Sequence, residues 1–420
     1  MIDGSGRGHP DGGAVGVGTA RMLSGLLEAS HVVVLEQVPS LVCKHAAEVG
    51  FHDARVYLVD LQQDVLRLLA APEHADEDEA RHPHEMRIDT TLAGRAYQET
   101  RILDRPGTDG GPHHWWVPML DGTERLGVLL VMAWDAGEVT QEDMRALASL
   151  VALLLVSKRS HSDTYAKLVR TRPMHVAAEM QWNLMPPLTF TGEHLAIGAA
   201  LEPAYEIGGD AFDYSVTDQR ANLAIFDAMG HDASAGLTAS LAIAACRNNR
   251  RQGADLVETS KAIERTLIEE FGRATRFVTA ILADLDITTG SLTWVNRGHH
   301  PPVVIRGGRW TTRLQCPPAH PMGLDLGLPV TLCREQLEPG DRVLFYTDGI
   351  TEARDPKGHE FGLDRFVDFI MRHHSDGLPV SETLRRLIHN ILHYHGSHLQ
   401  DDATVLLAEW HGPHATQFTM

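Results

Sequence analysis

The chain has 420 residues, 43% hydrophobic and 22% charged, a balance that excludes global disorder and leaves room for two or three domains. A formal net charge of −19 argues against a nucleic-acid or anionic-membrane partner, since both need a basic face. The four cysteines, Cys43, Cys246, Cys316 and Cys333, include no CxxC pair, so the expectation is neither a disulfide framework nor a zinc site but reduced thiols in the cytoplasm.

Residues 1–18 are rich in glycine and lack the apolar core of a signal peptide, so they read as a disordered lead-in. Gly4-Ser5-Gly6-Arg7-Gly8 has the look of a phosphate loop, but no strand precedes it. Leu23, Leu26 and Leu27 start a helix, and Cys43 falls in a helical stretch as a small apolar residue. Ala54 to Val59 reads as a strand, Asp60 to Asp64 as a turn and the acidic Glu73 to Glu79 as a surface loop. Trp115 to Met119 and Gly127 to Met132 form two strands joined across Asp121-Gly122, where glycine tolerates a positive φ. A helix from Gln141 to Lys158 follows, and its apolar core, Ala146 to Val156, is well short of the roughly 20 residues that span a bilayer.

This order of helix, strands, a hairpin ending in Gly127-Val128-Leu129-Leu130-Val131 and a closing helix from Thr140-Gln141-Glu142-Asp143 resembles a GAF domain. The resemblance implies a sensory pocket for an unknown small ligand over residues 19–157. His113-His114-Trp115-Trp116 could line such a pocket or ligate haem, but aromatic residues in a strand more often pack a core.

Residues 158–187 read as a helical linker broken by Thr171-Arg172-Pro173 and ended by Pro186-Pro187. Met174, Ala177, Met180 and Leu184 make one apolar stripe at spacings of three and four, suited to packing on the next domain or on a second chain in a homodimer. The position suggests a transmitter between sensor and catalytic domain; a passive spacer is the competing reading.

The rest of the chain places acids and glycines at the ends of apolar strands. Glu206-Ile207-Gly208-Gly209-Asp210 is the first such place, and Leu223-Ala224-Ile225-Phe226 runs into Asp227-Ala228-Met229-Gly230-His231-Asp232. Arg342 to Thr347 runs into Asp348-Gly349, and Asp401-Asp402-Ala403-Thr404 opens a last strand. One Asp-Gly after a strand is usually a turn. Several in one domain suggest a carboxylate cluster, which can stay ionised only when cations neutralise it. Oxygen ligands with no cysteine nearby select Mg²⁺ or Mn²⁺, and adjacent glycines let the backbone come close to the ion.

These segments, with Phe277-Val278-Thr279-Ala280, Asn296-Arg297-Gly298-His299-His300-Pro301-Pro302, Pro321-Met322-Gly323-Leu324, Pro339-Gly340-Asp341 and Tyr346 through Glu352, resemble in order and spacing the SpoIIE-type PPM (PP2C-like) serine/threonine phosphatases. The resemblance implies an α-β-β-α sandwich over residues 188–411, followed by a tail at 412–420, and two Mn²⁺ or Mg²⁺ ions. It assigns the metals to Asp210, Asp227, the Ala228 carbonyl, Asp348 and Asp401, with Asp402 competing for the last place. Asp227 would bridge the metals, and a hydroxide held between them would attack phosphorus in line. His231 is the candidate general acid, with a local loop hydrogen bond as the alternative; His299 is a weaker polar candidate. The implied substrate is a phosphorylated regulatory protein, anti-anti-sigma-factor-like.

The sequence departs from the family pattern at two places. Asp232 stands where the family usually has glycine, and is read as a helix cap. Arg297 stands where it usually has alanine. Rival readings are a pseudophosphatase that binds a partner and a GGDEF-like cyclase, the latter weakened by Ala211 in the motif. A zinc site at His393, His395 and His398 fails because helix or strand spacing would not put all three on one face. The fold class expected is α+β, a GAF-like α/β sensor domain followed by the sandwich.

Overall fold

The computed structural model describes residues 16–70, 83–107, 110–134, 137–230, 232–307, 310–354, 357–375, 378–395, 399 and 401–413. The Gly4–Gly8 motif, the acidic stretch Glu73 to Glu79, His231 and His398 lie outside these residues, as do the side chains of His393 and His395. The chain divides into two compact units, residues 1–121 with 125–171 and residues 122–124 with 172–420. No helix among the described residues is long and apolar enough to cross a membrane.

The first unit runs α1 (Val17–Ser30), α2 (Val38–Ala46), β1 (Asp53–Val59), β2 (Val65–Leu69), β3 (Glu85–Arg87), α3 (Leu92–Glu99), β4 (Leu103–Arg105), β5 (His113–Asp121), β6 (Glu124–Ala133), α4 (Glu138–Arg159) and α5 (Asp163–Val169). Among the described residues its six strands form one sheet in the order β3-β2-β1-β6-β5-β4. Alternation along β1 and β6 feeds two cores. Val56, Leu129 and Val131 pack with α1, α2 and α4, whereas Tyr57, Val128 and Leu130 pack on the other face with Ala93 and Tyr97 of α3. Gly122 takes φ +57° in the β5–β6 turn, as the Asp-Gly pair predicts. Trp115 is buried in the core, and His113 lies 3.2 Å from Asp104. Cys43 is half-buried, its Sγ 3.4 Å from Asp53 Oδ1.

The second unit begins with α6 (Val176–Leu184) and continues β7 (Thr189–Thr191), β8 (Leu195–Glu202), β9 (Asp210–Val216), β10 (Arg220–Ala228), α7 (Ala233–Arg251), α8 (Leu256–Phe271), β11 (Val278–Asp286) and β12 (Ser291–Arg297). Then come β13 (Val303–Arg306), β14 (Trp310–Arg313), β15 (Cys333–Gln336), β16 (Arg342–Tyr346), α9 (Asp348–Thr351), α10 (Leu363–Ser375), α11 (Val380–His395) and β17 (Ala403–Trp410). One sheet has the order β15-β12-β11-β10-β9, the other β14-β13-β16-β17-β8-β7. Residue parity stacks the layers. Along β17, Leu406, Ala408 and Trp410 join the core shared with β9–β12 and α7, while Val405 and Leu407 join the one under α10 and α11. β16 does the same with Val343 and Phe345 against Leu344 and Tyr346. This is the expected four-layer α-β-β-α sandwich.

Two expectations need correction. Cys316 and Cys333 form a disulfide, with Cα atoms 5.8 Å apart, although 17 positions separate them in sequence. The intervening chain folds back, returning Cys333 to the sheet edge, where β15 pairs with β12. In α6 the buried face is Ala177, Ala178 and Gln181, whereas Met180 is exposed. The small residues face α7 because the two helices approach closely: a Cβ added at Gly236 would lie 2.8 Å from the Ala177 Cβ.

Candidate functional site

The strand-end acids gather at one end of the sandwich. Asp227, near the end of β10, stands in register with Asp210 at the start of β9 and with Thr279 in β11. In the other sheet, β16 and β17 are antiparallel, with Tyr346 opposite Val405. That pairing puts Asp348, just after β16, beside Asp401 and Asp402, just before β17. A Cβ at Gly349 would lie 2.0 Å from the Asp402 carbonyl oxygen, so the Asp-Gly pair admits only glycine at its second position.

Asp402 ties the sheets together. Its Oδ2 accepts the backbone N–H groups of Gly208, Gly209 and Asp210 at 2.8, 2.6 and 3.2 Å. Gly209 is required in this cradle, because a Cβ there would lie 2.5 Å from the carbonyl oxygens of both Ala228 and Gly230. The Ala228 carbonyl thus lies against the Gly208–Asp210 turn, and the Ala228 N–H donates to the Gly209 carbonyl at 3.0 Å. Asp210 is 3% exposed, and its Oδ2 accepts the Thr347 hydroxyl at 2.6 Å. Thr347 Oγ1 in turn accepts the Thr404 N–H at 2.9 Å.

Asp210 and Asp402 are therefore buried and internally bonded, while Asp227 and Asp348 are half-buried and Asp401 is exposed. Burial, reinforced by the charges of Asp348 and Asp401, pushes the Asp227 carboxyl up to about 7. Burial and the charges of Asp402 and Asp227 hold Asp210 well above the usual carboxylate range. Asp402 is also raised by burial, and its three amide bonds oppose the rise.

Among the described residues no three His, Cys, Asp or Glu side chains close into a metal-binding cage. The donor chemistry nevertheless fits a hard divalent cation: every donor is oxygen, and the acids repel one another in a desolvated place, which a cation would relieve.

Asp232 caps α7, its Oδ1 accepting the N–H groups of Ser234 and Ala235 at 3.1 and 2.9 Å. His299 is buried behind the acids, its Nδ1 2.7 Å from Thr279 Oγ1 and its Nε2 3.0 Å from the Tyr346 carbonyl oxygen. Thr279, Thr347 and the amide cradle of Asp402 were not singled out from sequence. The available signal was position, since Thr347 precedes Asp348 directly and Thr279 follows the Phe277-Val278 pair of a recognised motif.

Residues 217–411 match the family described as Stage II sporulation protein E (SpoIIE). The phosphoserine phosphatase RsbP of Bacillus subtilis is 24% identical over 241 residues, which cover 56% of this chain and 57% of RsbP. The phosphoserine phosphatase RsbU of the same organism is 25% identical over 240 residues, covering 56% of this chain and 69% of RsbU. Among solved structures, the RsbU and RsbW domains of a Mycobacterium tuberculosis protein align with a TM-score of 0.47 at 25% identity, over 55% of this chain and 64% of that one. The match thus spans little more than half of RsbP. The second unit carries a SpoIIE-type domain of the PPM phosphatases.

Proposed function

We propose that the protein is a Mn²⁺- or Mg²⁺-dependent phosphatase that removes phosphate from phosphoserine or phosphothreonine on a regulatory protein, anti-anti-sigma-factor-like, under the control of its first unit as a GAF-like sensor. The observation that carries this reading is the assembly of Asp210, Asp227, Asp348 and Asp401 at one end of the sandwich, with Asp227 raised to about 7. Asp210, Asp227, Asp348, Asp401 and the Ala228 carbonyl are the groups that would hold two ions. Asp401 is preferred to Asp402 because Oδ2 of Asp402 already accepts three amides. When bound, such ions acidify water and neutralise phosphate oxygens.

The chain's own groups prepare the place. The Asp402 cradle fixes the turn that carries Asp210, and the Thr347 hydroxyl fixes which way the Asp210 carboxylate faces. Arg276, half-buried, reaches the Met229 carbonyl oxygen at 3.4 Å and sets a cation against an acidic rim. We assign it to meeting the incoming phosphoryl group. His231, directly after Gly230, remains the proposed proton donor to the leaving Ser or Thr oxygen. No nucleophilic Ser or Cys is required. Control by the first unit would pass through α6, whose Gln181 donates to the Gly208 carbonyl at 2.7 Å.

A cytoplasmic setting belongs to the same proposal, because a sigma-factor regulator is met there. The test is phosphate release from a phosphoserine protein with Mn²⁺, with EDTA and by Asp227→Asn. Release only by the first would support the reading, and equal release by all three would sink it.

A further inference from the structure

Behind Asp227 lies a hydrogen-bond chain whose direction can be deduced atom by atom. The Tyr346 carbonyl oxygen can only accept, so His299 Nε2, 3.0 Å away, carries a hydrogen. His299 is 7% exposed and its two ring nitrogens meet a hydroxyl and a carbonyl rather than a carboxylate, so the ring is neutral and its Nδ1 is a bare lone pair. Burial, which pushes the imidazole down to about 3, agrees. Nδ1 lies 2.7 Å from Thr279 Oγ1, so the Thr279 hydroxyl must donate to it. A threonine has one hydroxyl hydrogen. The longer contact of the same oxygen, 3.3 Å to Asp227 Oδ2, is then left without it.

The arrangement is held rigidly. Thr279 is fixed opposite Asp227 by the β10–β11 register. The His299 backbone is gripped by Asn296, whose Oδ1 accepts the His299 N–H at 2.8 Å and whose Nδ2 donates to the His299 carbonyl at 2.9 Å.

We propose that His299 is a positioning residue that acts through Thr279: by accepting the Thr279 hydroxyl hydrogen at Nδ1, it keeps that hydrogen off Asp227 Oδ2 and leaves the carboxylate's lone pairs open to a divalent cation. The inference rests on the reading of Asp227 as a metal ligand. Without the imidazole acceptor, the Thr279 hydroxyl turns to Asp227 and competes with the ion for the same oxygen.

The experiment measures Mn²⁺ binding to the full chain by titration calorimetry. His299→Phe keeps a flat ring but no acceptor, and should weaken Mn²⁺ by about tenfold, the scale of outer-shell changes around metals. Adding Thr279→Val to His299→Phe removes the competing hydroxyl and should restore most of the loss. A merely structural role for His299 predicts no such rescue. Wild-type affinity in His299→Phe, or no recovery in the double variant, overturns the proposal. Nitrogen NMR of histidine-labelled wild type tests it without any variant: a protonated Nδ1 at His299 overturns it, and an unprotonated Nδ1 with a protonated Nε2 supports it. If Asp227→Asn binds Mn²⁺ as wild type does, the metal reading and this inference both fall. If Asp227→Asn loses Mn²⁺ while His299→Phe does not, this inference alone falls.

Discussion

Arg297 turns its guanidinium away from the acids and onto Glu264 of α8, with Nη2 2.7 Å from Glu264 Oε2. It is fully buried, and its Nε donates to the His320 carbonyl at 2.9 Å. Burial would raise the Glu264 carboxyl, but Arg297 overrides this and holds it below the usual range. The residue that departs from the family pattern in sequence therefore fastens α8 to the end of β12, on the strand face opposite Asn296. Removing one partner of a buried pair costs about 3–5 kcal/mol, because the other is left uncompensated. Arg297→Ala should lose about that much stability in urea unfolding, and adding Glu264→Gln should recover part of it. Additive losses would show that the pair is not coupled.

Asp401 and Asp402 are adjacent in sequence and opposite in role. Asp402→Ala strands three amides at a buried junction of the two sheets, at about 1–3 kcal/mol each in the limit where none finds another partner. Its expected signature is a clear drop in unfolding free energy. Asp401 is exposed, so Asp401→Ala should change stability by about 1 kcal/mol or less while weakening Mn²⁺ binding and phosphatase activity. The reverse pattern would exchange the two assignments.

Gly209→Ala tests the closeness of the turn. The new Cβ would meet two carbonyl oxygens at 2.5 Å, and overpacking of this kind costs about 1–3 kcal/mol. Because the turn carries Asp210, Mn²⁺ affinity should fall with stability. Unchanged affinity in a folded Gly209→Ala protein would detach the turn from the metal site.

The layers of the second unit came from the family resemblance, since the continuous apolar runs of β16 and β17 do not show which residue faces which core; the acids were legible because each stands in a short motif at a strand end. The division of labour among those acids was not. Nothing in Asp401-Asp402 says which side chain turns inward; that depends on amides some 190 positions away. The α6 stripe was misread at Met180 because periodicity favours large apolar residues, whereas close approach to α7 selects Ala177 and Ala178. The Cys316–Cys333 pairing depends on a loop whose return path is set by β15 joining β12.

Arg276→Ala should raise KM for a phosphoprotein more than it lowers kcat, if its guanidinium meets the phosphoryl group on arrival. Salt should weaken wild-type binding and affect the variant less. A fall in kcat at unchanged KM would move Arg276 from substrate approach to the reacting atoms.

The pH dependence of stability follows from Asp227. Its carboxyl is raised in the fold to about 7 from the ordinary aspartate value of 3.8, so between those values the native state holds a proton that the unfolded chain has released. Stability of the metal-free protein must then decline as pH rises through this window. His299 acts in the opposite direction, because its lowered value makes the fold lose stability as pH falls below about 6.5. Between pH 6.5 and 8 only the upper end of the aspartate window remains, so the fall is concentrated below and around pH 7 and levels off above it. The metal-free Tm should drop across that interval, Asp227→Asn should flatten the slope, and saturating Mn²⁺ should raise Tm most at the alkaline end, where the carboxylate is already ionised. A metal-free Tm that rises from pH 6.5 to 8 would contradict the raised Asp227 and, with it, the crowding of acids that makes a divalent cation the fitting partner.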